Sequence, residues 1–280
     1  MRSLRARLTL VVAILIMLTT VLLTVSAYTR MKNEVLAGIT QEIDTAIGGY
    51  GTVLSGWVAE KARATGALTA IAGEGDPLPY LKLLDAAGDF DLVYIGYADK
   101  RAVFSEERPR KPDYDPTARP WYKKAVEVGD GVITDPYTSA STGKLLISFA
   151  KPVKSSSDVS AVVASDVTLD QIIEGVLSIK LRASGYAFLV SKNGKLIIHR
   201  DKDRVLKPVT DIAEGITPES LSKIADDKQL AEVKISGRDD FLRLSPIKGT
   251  DWYLGLAIDR SEALAPLRQL LLLSVGGPSC

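Results

Sequence analysis

The sequence predicts an α+β fold in which one long N-terminal helix precedes two antiparallel sheets that follow each other along the chain. An uncharged N-terminal run, followed by apolar residues three or four positions apart, predicts the helix. From residue 90 onward, short β-branched and aromatic segments separated by Gly, Pro and Asn occur in two groups, which predicts the sheets. The length of 280 residues suits more than one domain.

The uncharged run covers residues 8–29 and is predicted to be a transmembrane helix. Its 22 residues are enough to cross a hydrocarbon core of ~30 Å. Arginines at positions 2, 5 and 7 favour an N-terminus in the cytoplasm, with the residues after the helix outside. The alternative is a cleaved signal peptide, since residues 25–27 resemble a cleavage site, but the run is longer than the ~7–15 apolar residues typical of one.

Residues 31–72 are predicted to continue the membrane helix as a stalk, because their apolar residues follow a helical spacing. Gly48, Gly49 and Gly51 form the most obvious weak point of this stalk. A homodimer formed along the stalk is expected, since it would bury the apolar stripe.

The two groups of strands are separated by a predicted helix at residues 169–179. Turns are expected at residues 191–194, which contain an Asn-Gly pair, and more loosely at 237–239. Further short helices are predicted at 80–87 and 118–128. The first group of strands is 90–98, 102–104, 131–133, 144–154 and 159–167, and the second is 186–190, 195–199, 230–235, 240–247 and 252–258.

A second apolar run begins after Arg268 and stops within a few residues, too short to cross a membrane. We therefore interpret the C-terminus as an exit helix and a truncated second transmembrane segment. We divide the chain into six parts. They are a cytoplasmic N-terminus (1–7), the transmembrane helix (8–29), the stalk (30–72), a membrane-distal subdomain (73–180), a membrane-proximal subdomain (181–260) and the exit segment (261–280).

The composition excludes several classes of function. Lys and Arg total 35 against 34 Asp and Glu, which gives no basic field for nucleic acid. One histidine, His199, and one cysteine, Cys280, cannot form an intrachain disulfide, a Cys-rich zinc site or a His cluster. Neither nucleic acid, nor a metal, nor a cofactor is expected as a partner.

Residues 113–125 carry the densest functional pattern, with three aromatic residues, an arginine and two prolines between strands. The prolines stiffen the loop, Arg119 offers a planar fork for a carboxylate, and Trp121 offers an indole N–H. This pattern predicts a pocket for a small anionic group. In the alternative interpretation, Trp121 and Tyr122 anchor the following helix in the core, and Arg119 pairs with an internal acid. The charged residues 106–111 are interpreted as a solvated loop face.

The order Tyr114, Arg119, Trp121, Tyr122, then Tyr137 and Asp166, resembles the double Cache (dCache) sensor domains of bacterial chemoreceptors that recognise amino acids. The resemblance covers about residues 31–258. It implies that each subdomain is PAS-like and that the membrane-distal one binds the ligand. It also implies that Arg119 and Trp121 hold the ligand α-carboxylate, that Asp166 holds the α-ammonium, and that Tyr114 and Tyr122 complete the wall. Ser139 stands where family members often carry an acid, so one amine contact is neutral or absent.

The resemblance further implies a chemoreceptor region without enzymatic activity, anchored in the bacterial inner membrane with its sensor domain in the periplasm. Its expected ligand is an L-amino acid or a related amine. With only one complete transmembrane helix, the chain is expected to bind its ligand without signalling.

Other functions remain open at this point. Sensor regions of histidine kinases and diguanylate cyclases are built alike. A membrane-anchored periplasmic hydrolase would use Arg119 as a clamp, although the one histidine lies far along the chain. A structural ectodomain that binds protein partners would have no use for Arg119 and Asp166 in one pocket.

Overall fold

The computed structural model describes residues 4–155, 158–181, 184–227 and 229–268, with side chains from Arg7 onward. The predicted membrane helix and stalk form one continuous helix, α1 (Leu4–Ala67), which a 3₁₀ turn (Leu68–Ala70) follows. The three glycines predicted to weaken the stalk do not interrupt it. Among the described residues, the segment Arg7–Ala70 alone is long and apolar enough to cross a membrane, and its most apolar window is entirely exposed.

The first sheet follows α2 (Leu78–Gly88) and has the strand order β2-β1-β6-β5-β3, with the short β4 also paired to β5. All of its pairs are antiparallel. Helix α3 (Pro120–Val128) lies between β2 and β3. The strands are β1 (Leu92–Tyr97), β2 (Ala102–Phe104), β3 (Val132–Ile133), β4 (Tyr137–Thr138), β5 (Leu145–Ser155) and β6 (Asp158–Thr168).

The second sheet follows α4 (Leu169–Leu177) and has the order β8-β7-β12-β11-β10-β9, again antiparallel throughout. Helix α5 (Pro218–Asp226) precedes β10, and α6 (Arg260–Ala263) follows β12. The strands are β7 (Tyr186–Ser191), β8 (Leu196–Ile198), β9 (Ala213–Glu214), β10 (Ala231–Ile235), β11 (Arg238–Pro246) and β12 (Trp252–Asp259). The predicted α+β class with two tandem antiparallel sheets is confirmed.

Some predicted boundaries were wrong. Helix α3 begins at Pro120 rather than at 118, because Arg119 is extended and a separate 3₁₀ turn (Pro116–Ala118) precedes it. The turn between β10 and β11 is tighter than expected: Ser236 and Gly237 both have positive φ (51° and 79°), as two-residue hairpin turns require. Strands β4 and β9 and helix α5 were not predicted. The predicted second membrane segment and Cys280 lie outside the described residues.

Both sheets pack against helix α1. In the middle of this helix, Ile39, Ile43 and Ile47 are buried on one face, spaced by four residues. Asp44 pairs there with Arg243 of β11 (Oδ1 to Nε 3.0 Å). Near the C-terminal end of α1, the Lys61 ammonium donates to the Asp89 carbonyl (3.0 Å), beside the first sheet. Helix α1, whose N-terminal part is the candidate membrane span, thus makes polar contacts with the second sheet and with the segment that precedes the first sheet.

A substitution of Gly255 in β12 would test how tightly the second sheet is packed. It pairs with Phe188 of β7, and the buried Phe188 ring occupies the space where a Cβ would stand. Gly255→Ala is expected to lower the free energy of unfolding by ~1–3 kcal/mol, since overpacking displaces the ring. Gly175→Ala, on an exposed turn of α4 with nothing within 4 Å of the new methyl, is the control and should be neutral or stabilising. Chemical denaturation measures both, and equal stabilities would contradict the expectation.

Candidate ligand-binding site

Strand register builds the acidic side of the site. Asp166 of β6 lies directly opposite Ser148 of β5 and opposite Leu92 of β1, two residues before Tyr94. The Ser148 hydroxyl donates to Asp166 Oδ1 (2.5 Å), and so does the Tyr94 hydroxyl (2.7 Å). Tyr137 of β4 lies 2.7 Å from Ser148, oxygen to oxygen. The carboxyl group is thus held by a chain of hydroxyls and is only 6% exposed.

Burial controls the charge of Asp166. It raises the pKa of this carboxyl from 3.8 to about 7, although the Ser148 and Tyr94 hydroxyls oppose the rise. Arg108, whose charge opposes the rise in the Asp166 pKa, is already paired with Asp91 (Nη1 to Oδ2 2.7 Å). No cationic side chain of the described residues forms an ion pair with Asp166. An ammonium group from solution would supply the missing partner.

The loop between β2 and α3 builds the opposite side. Asp115 accepts from the Thr117 N–H (2.9 Å) and caps the 3₁₀ turn, after which Arg119 is extended (φ −79°, ψ 151°) and Pro120 begins α3. This path directs Trp121 onto the sheet, where its ring is 1% exposed and lies 4.9 Å from the Tyr94 ring at 69°. Edge-to-face contact of this kind fixes both rings.

Arg119 is half-buried, and its guanidinium carbon lies 6.0 Å from the Tyr137 ring centroid. No carboxylate among the described residues pairs with it. The alternative in which Arg119 pairs with an internal acid is therefore not what the structure shows. The guanidinium is free to bind an anion, and it has the planar donor geometry that carboxylates match.

These groups meet around one small cavity. Its free volume is about 20 Å³, room for about one water molecule, so a ligand as large as an amino acid requires the lining residues to move apart. Six of the seven predicted site residues line it. The lining residues are Leu92, Tyr94, Phe104, Arg110, Tyr114, Arg119, Trp121, Tyr137, Ser139, Ala140, Ser141 and Asp166.

The seventh, Tyr122, does not line the cavity. It follows Trp121 on α3, and neighbouring residues on a helix point about 100° apart. Its buried ring packs 5.5 Å from the Trp121 ring instead, within the core between α3 and the sheet. The structure thus gives Tyr122 the role of a core anchor.

Three contributors were missed from the sequence. Tyr94 and Ser148 lie in strands, where alternating apolar and polar residues predict a buried face but not a particular hydrogen bond. Arg110 belongs to the charged residues interpreted as a solvated loop face, yet its guanidinium carbon lies 3.3 Å from the Phe104 ring centroid. A signal was present in the aromatic residues that flank it, Phe104 and Tyr114.

A larger cavity, about 770 Å³, lies between α1, strands β3 and β5 of the first sheet, and the end of β11 with the loop that follows it. Small residues such as Gly48 and Gly51 line it, together with Lys151 and Lys248, and its lining contains no acidic residue. Of the two cavities, the smaller one alone has both a carboxyl group and guanidinium groups in its lining.

The contacts of the lone histidine do not form a catalytic arrangement within the part of the chain that the structure describes. His199 is buried, and its Nδ1 accepts from the Asp201 backbone N–H (3.1 Å), while its ring packs edge-on against Tyr186. Burial lowers its pKa. Within the described residues, no group of three or more His, Cys, Asp or Glu side chains is placed to hold a metal ion.

Residues 20–267 match the Cache domain family. The methyl-accepting chemotaxis protein PctB of Pseudomonas aeruginosa is 33% identical over 184 residues, which are 65% of this chain and 28% of PctB. The chain thus spans less than a third of the length of this relative.

Two solved structures are similar over most of the chain. The ligand-binding domain of chemoreceptor CtaA of Pseudomonas fluorescens, in complex with L-isoleucine, has a TM-score of 0.72 and 26% identity, and the match covers 84% of this chain and 98% of that one. The PctB ligand-binding domain in complex with L-Arg has a TM-score of 0.70 and 27% identity, with 80% and 97% coverage.

Proposed function

The chain belongs to the Cache domain family, and from this premise we propose that it is the extracytoplasmic ligand-binding region of a transmembrane chemoreceptor and that it binds an L-amino acid. The relatives it resembles are chemoreceptors, and two of their ligand-binding domains were solved with L-isoleucine and L-Arg. These relatives are sensors rather than enzymes, which supports a binding function without catalysis.

One observation carries the proposal: an unpaired guanidinium and a buried carboxyl without a cationic partner line the same cavity. An α-amino acid carries the two complementary charges on one carbon. Arg119 and the Trp121 indole N–H bind the α-carboxylate, and Asp166 binds the α-ammonium. Both contacts are charge-assisted and gain strength from the low dielectric of the buried site.

The remaining predicted residues form the walls. Tyr114 and Tyr137 are largely buried, and burial raises the pKa of both, so their hydroxyls stay neutral hydrogen-bonding groups. Ser139 contributes a hydroxyl near the backbone N–H of Thr142 (3.2 Å) and adds no charge. The amine contact therefore rests on Asp166 alone.

A route from the site to the stalk supports a sensing role. On β6, alternate residues face opposite sides of the sheet, so Ser165 lies on the α1 side while Asp166 faces the cavity. The Ser165 hydroxyl is hydrogen-bonded to the Thr65 hydroxyl of α1. A ligand that shifts β6 through Asp166 thus acts on α1 at Thr65.

The proposal includes a topology. The apolar part of α1 crosses the bacterial inner membrane, and the two sheets lie in the periplasm. A homodimer along α1 is supported by Val53 and Tyr50, which are 68% and 38% exposed on the part of the helix beside the sheets. Burial of such residues between two copies would stabilise the pair.

The test compares each L-amino acid with the amine that its decarboxylation gives, using thermal unfolding of the full chain in detergent. A binding amino acid at ~100 times its dissociation constant should add ~2.7 kcal/mol of stability. The matching amine should add almost none, because Arg119 would face no carboxylate. Equal stabilisation by both would exclude the carboxylate role of Arg119, and stabilisation by no amino acid would refute the proposed function.

A further inference from the structure

Arg110 presents a half-buried positive charge that forms no ion pair with an acid of the described residues. Its Nη1 donates to the Arg108 carbonyl (3.1 Å), but its Nη2 is shielded from solvent and has no hydrogen-bond partner. Burial lowers the pKa of this guanidinium, which nonetheless stays charged at neutral pH. A buried donor on a charged group is costly when unpaired, so the position suits an anion that comes from outside.

The charges around the cavity do not balance for an ordinary amino acid. The lining contains two cations, Arg110 and Arg119, and one acid, Asp166. Nearby charges are already paired with each other, as Arg108 is with Asp91 (2.7 Å) and Lys100 with Asp115 (2.9 Å). A zwitterion with a neutral side chain would satisfy Arg119 and Asp166 and leave Arg110 alone.

The two guanidinium groups act on the same part of the cavity. Arg110 lies 5.9 Å from the Tyr114 ring centroid, and both it and Arg119 counteract the rise that burial causes in the pKa of Tyr114. The Arg110 guanidinium also lies over the Phe104 ring, with its carbon 3.3 Å from the ring centroid, which restricts its movement. The cavity lining therefore contains two guanidinium groups near Tyr114 and one acid, Asp166 of β6.

We propose that this cavity selects amino acids with a carboxylate side chain, such as L-glutamate or L-aspartate, and that Arg110 binds the side-chain carboxylate. This inference rests on the proposed function, since it assigns the α-carboxylate to Arg119 and the α-ammonium to Asp166. A ligand with two carboxylates and one ammonium satisfies all three charged groups. The neutral Ser139 fits the same assignment. An acid at this position would offset the positive charge of Arg110, which the side-chain carboxylate of the ligand needs.

Matched ligand pairs test the inference without any mutation. Titration calorimetry on the full chain in detergent at pH 8 compares L-glutamate with L-glutamine and L-aspartate with L-asparagine. The acid of at least one pair is expected to bind at least ~30-fold more tightly than its amide, as a desolvated charge pair implies. Glutarate and succinate, which lack the ammonium, should bind more weakly than the matching amino acids because Asp166 stays unpaired.

Variants assign the selectivity to Arg110. Arg110→Gln should reduce the preference for the acid to within about threefold, whereas Arg110→Lys should retain part of it. Arg101→Gln is the control, since Arg101 is exposed and pairs with Asp99 on the turn between β1 and β2. The comparison of acid with amide on the unmutated chain stands even if Arg110→Gln fails to fold.

The outcomes separate the two proposals. If amides bind as tightly as the acids, or if Arg110→Gln binds acids unchanged, the inference is wrong and the amino-acid site survives. If glutarate and succinate bind as tightly as the matching amino acids, Asp166 does not bind the ammonium, and the assignment of the three charged groups is wrong. If no amino acid binds at all, the proposed function itself fails, and this inference fails with it.

Discussion

Asp166→Asn is expected to weaken amino-acid binding by ~2–5 kcal/mol, as when one member of a buried charge pair is removed. The amide keeps the shape and can accept from Tyr94 and Ser148, which now donate to the carboxylate at 2.7 and 2.5 Å. It cannot supply the charge that the ligand ammonium requires. Titration calorimetry at pH 8 measures the loss, and an unchanged dissociation constant would place the amine contact elsewhere.

The same substitution should remove a pH dependence. The pKa of Asp166 is about 7 in the folded chain, against 3.8 for a free side chain, because burial disfavours its charged form. Binding of an ammonium needs the ionised carboxyl, so affinity in the unmutated chain should rise with pH up to about 7 and then level off. Asp166→Asn should show no such rise. Tyr94 and Tyr137, which face the carboxyl, stay neutral because burial raises the pKa of each, and Arg108 is paired with Asp91.

The free energy of unfolding should fall with rising pH over the range in which the affinity rises. Because the folded pKa of Asp166 is the higher one, the native state holds a proton that the unfolded state releases, so stability falls as pH rises from about 4 to about 7. The difference corresponds to about 4 kcal/mol, and it should be absent in Asp166→Asn. Asp239→Asn, at an exposed position in β11, is the matched control and should behave as the unmutated chain. If the stability of Asp166→Asn depends on pH in the same way as that of the unmutated chain, a group other than Asp166 causes the dependence.

The architecture and most of the lining of the site were predictable because they depend on local patterns. Apolar spacing of three and four residues predicts α1, and alternation predicts strands such as β6. Pro116 and Pro120 fix the loop around Arg119 within a few residues. These signals are complete in short stretches of the sequence, so no knowledge of distant contacts is needed to use them.

The parts that were not predictable depend on contacts between distant segments. Asp166 obtains its two hydroxyl donors from Ser148 and Tyr94, 18 and 72 residues away, through a register that no local pattern determines. Arg110 lies in a charged stretch, which normally favours exposure, and only the fold places the Phe104 ring beneath it. Helix α5 is short and polar, so its capping box at Thr217 and Ser220 was the only strong signal.

Trp121→Ala is expected to lower the free energy of unfolding by ~3–5 kcal/mol, because Trp121 is among the largest fully buried side chains. Its removal leaves a cavity between α3 and the first sheet. It also releases the Tyr94 ring, 4.9 Å away, whose hydroxyl holds Asp166. Chemical denaturation should therefore show the loss of stability, and titration calorimetry below the unfolding transition should show weaker amino-acid binding.

A second tryptophan separates the two effects. Trp57 of α1 packs edge-on against Phe149, 5.9 Å away, on the opposite face of the same sheet. Trp57→Ala should thus destabilise the fold while the folded chain keeps its dissociation constant, since the ring packs on the face of the sheet that points away from Asp166. Trp121→Phe retains apolar volume but lacks the indole N–H, so it should recover much of the stability and little of the affinity. If Trp121→Phe binds as tightly as the unmutated chain, the α-carboxylate is held by Arg119 without the indole, and Trp121 serves the site only by fixing Tyr94.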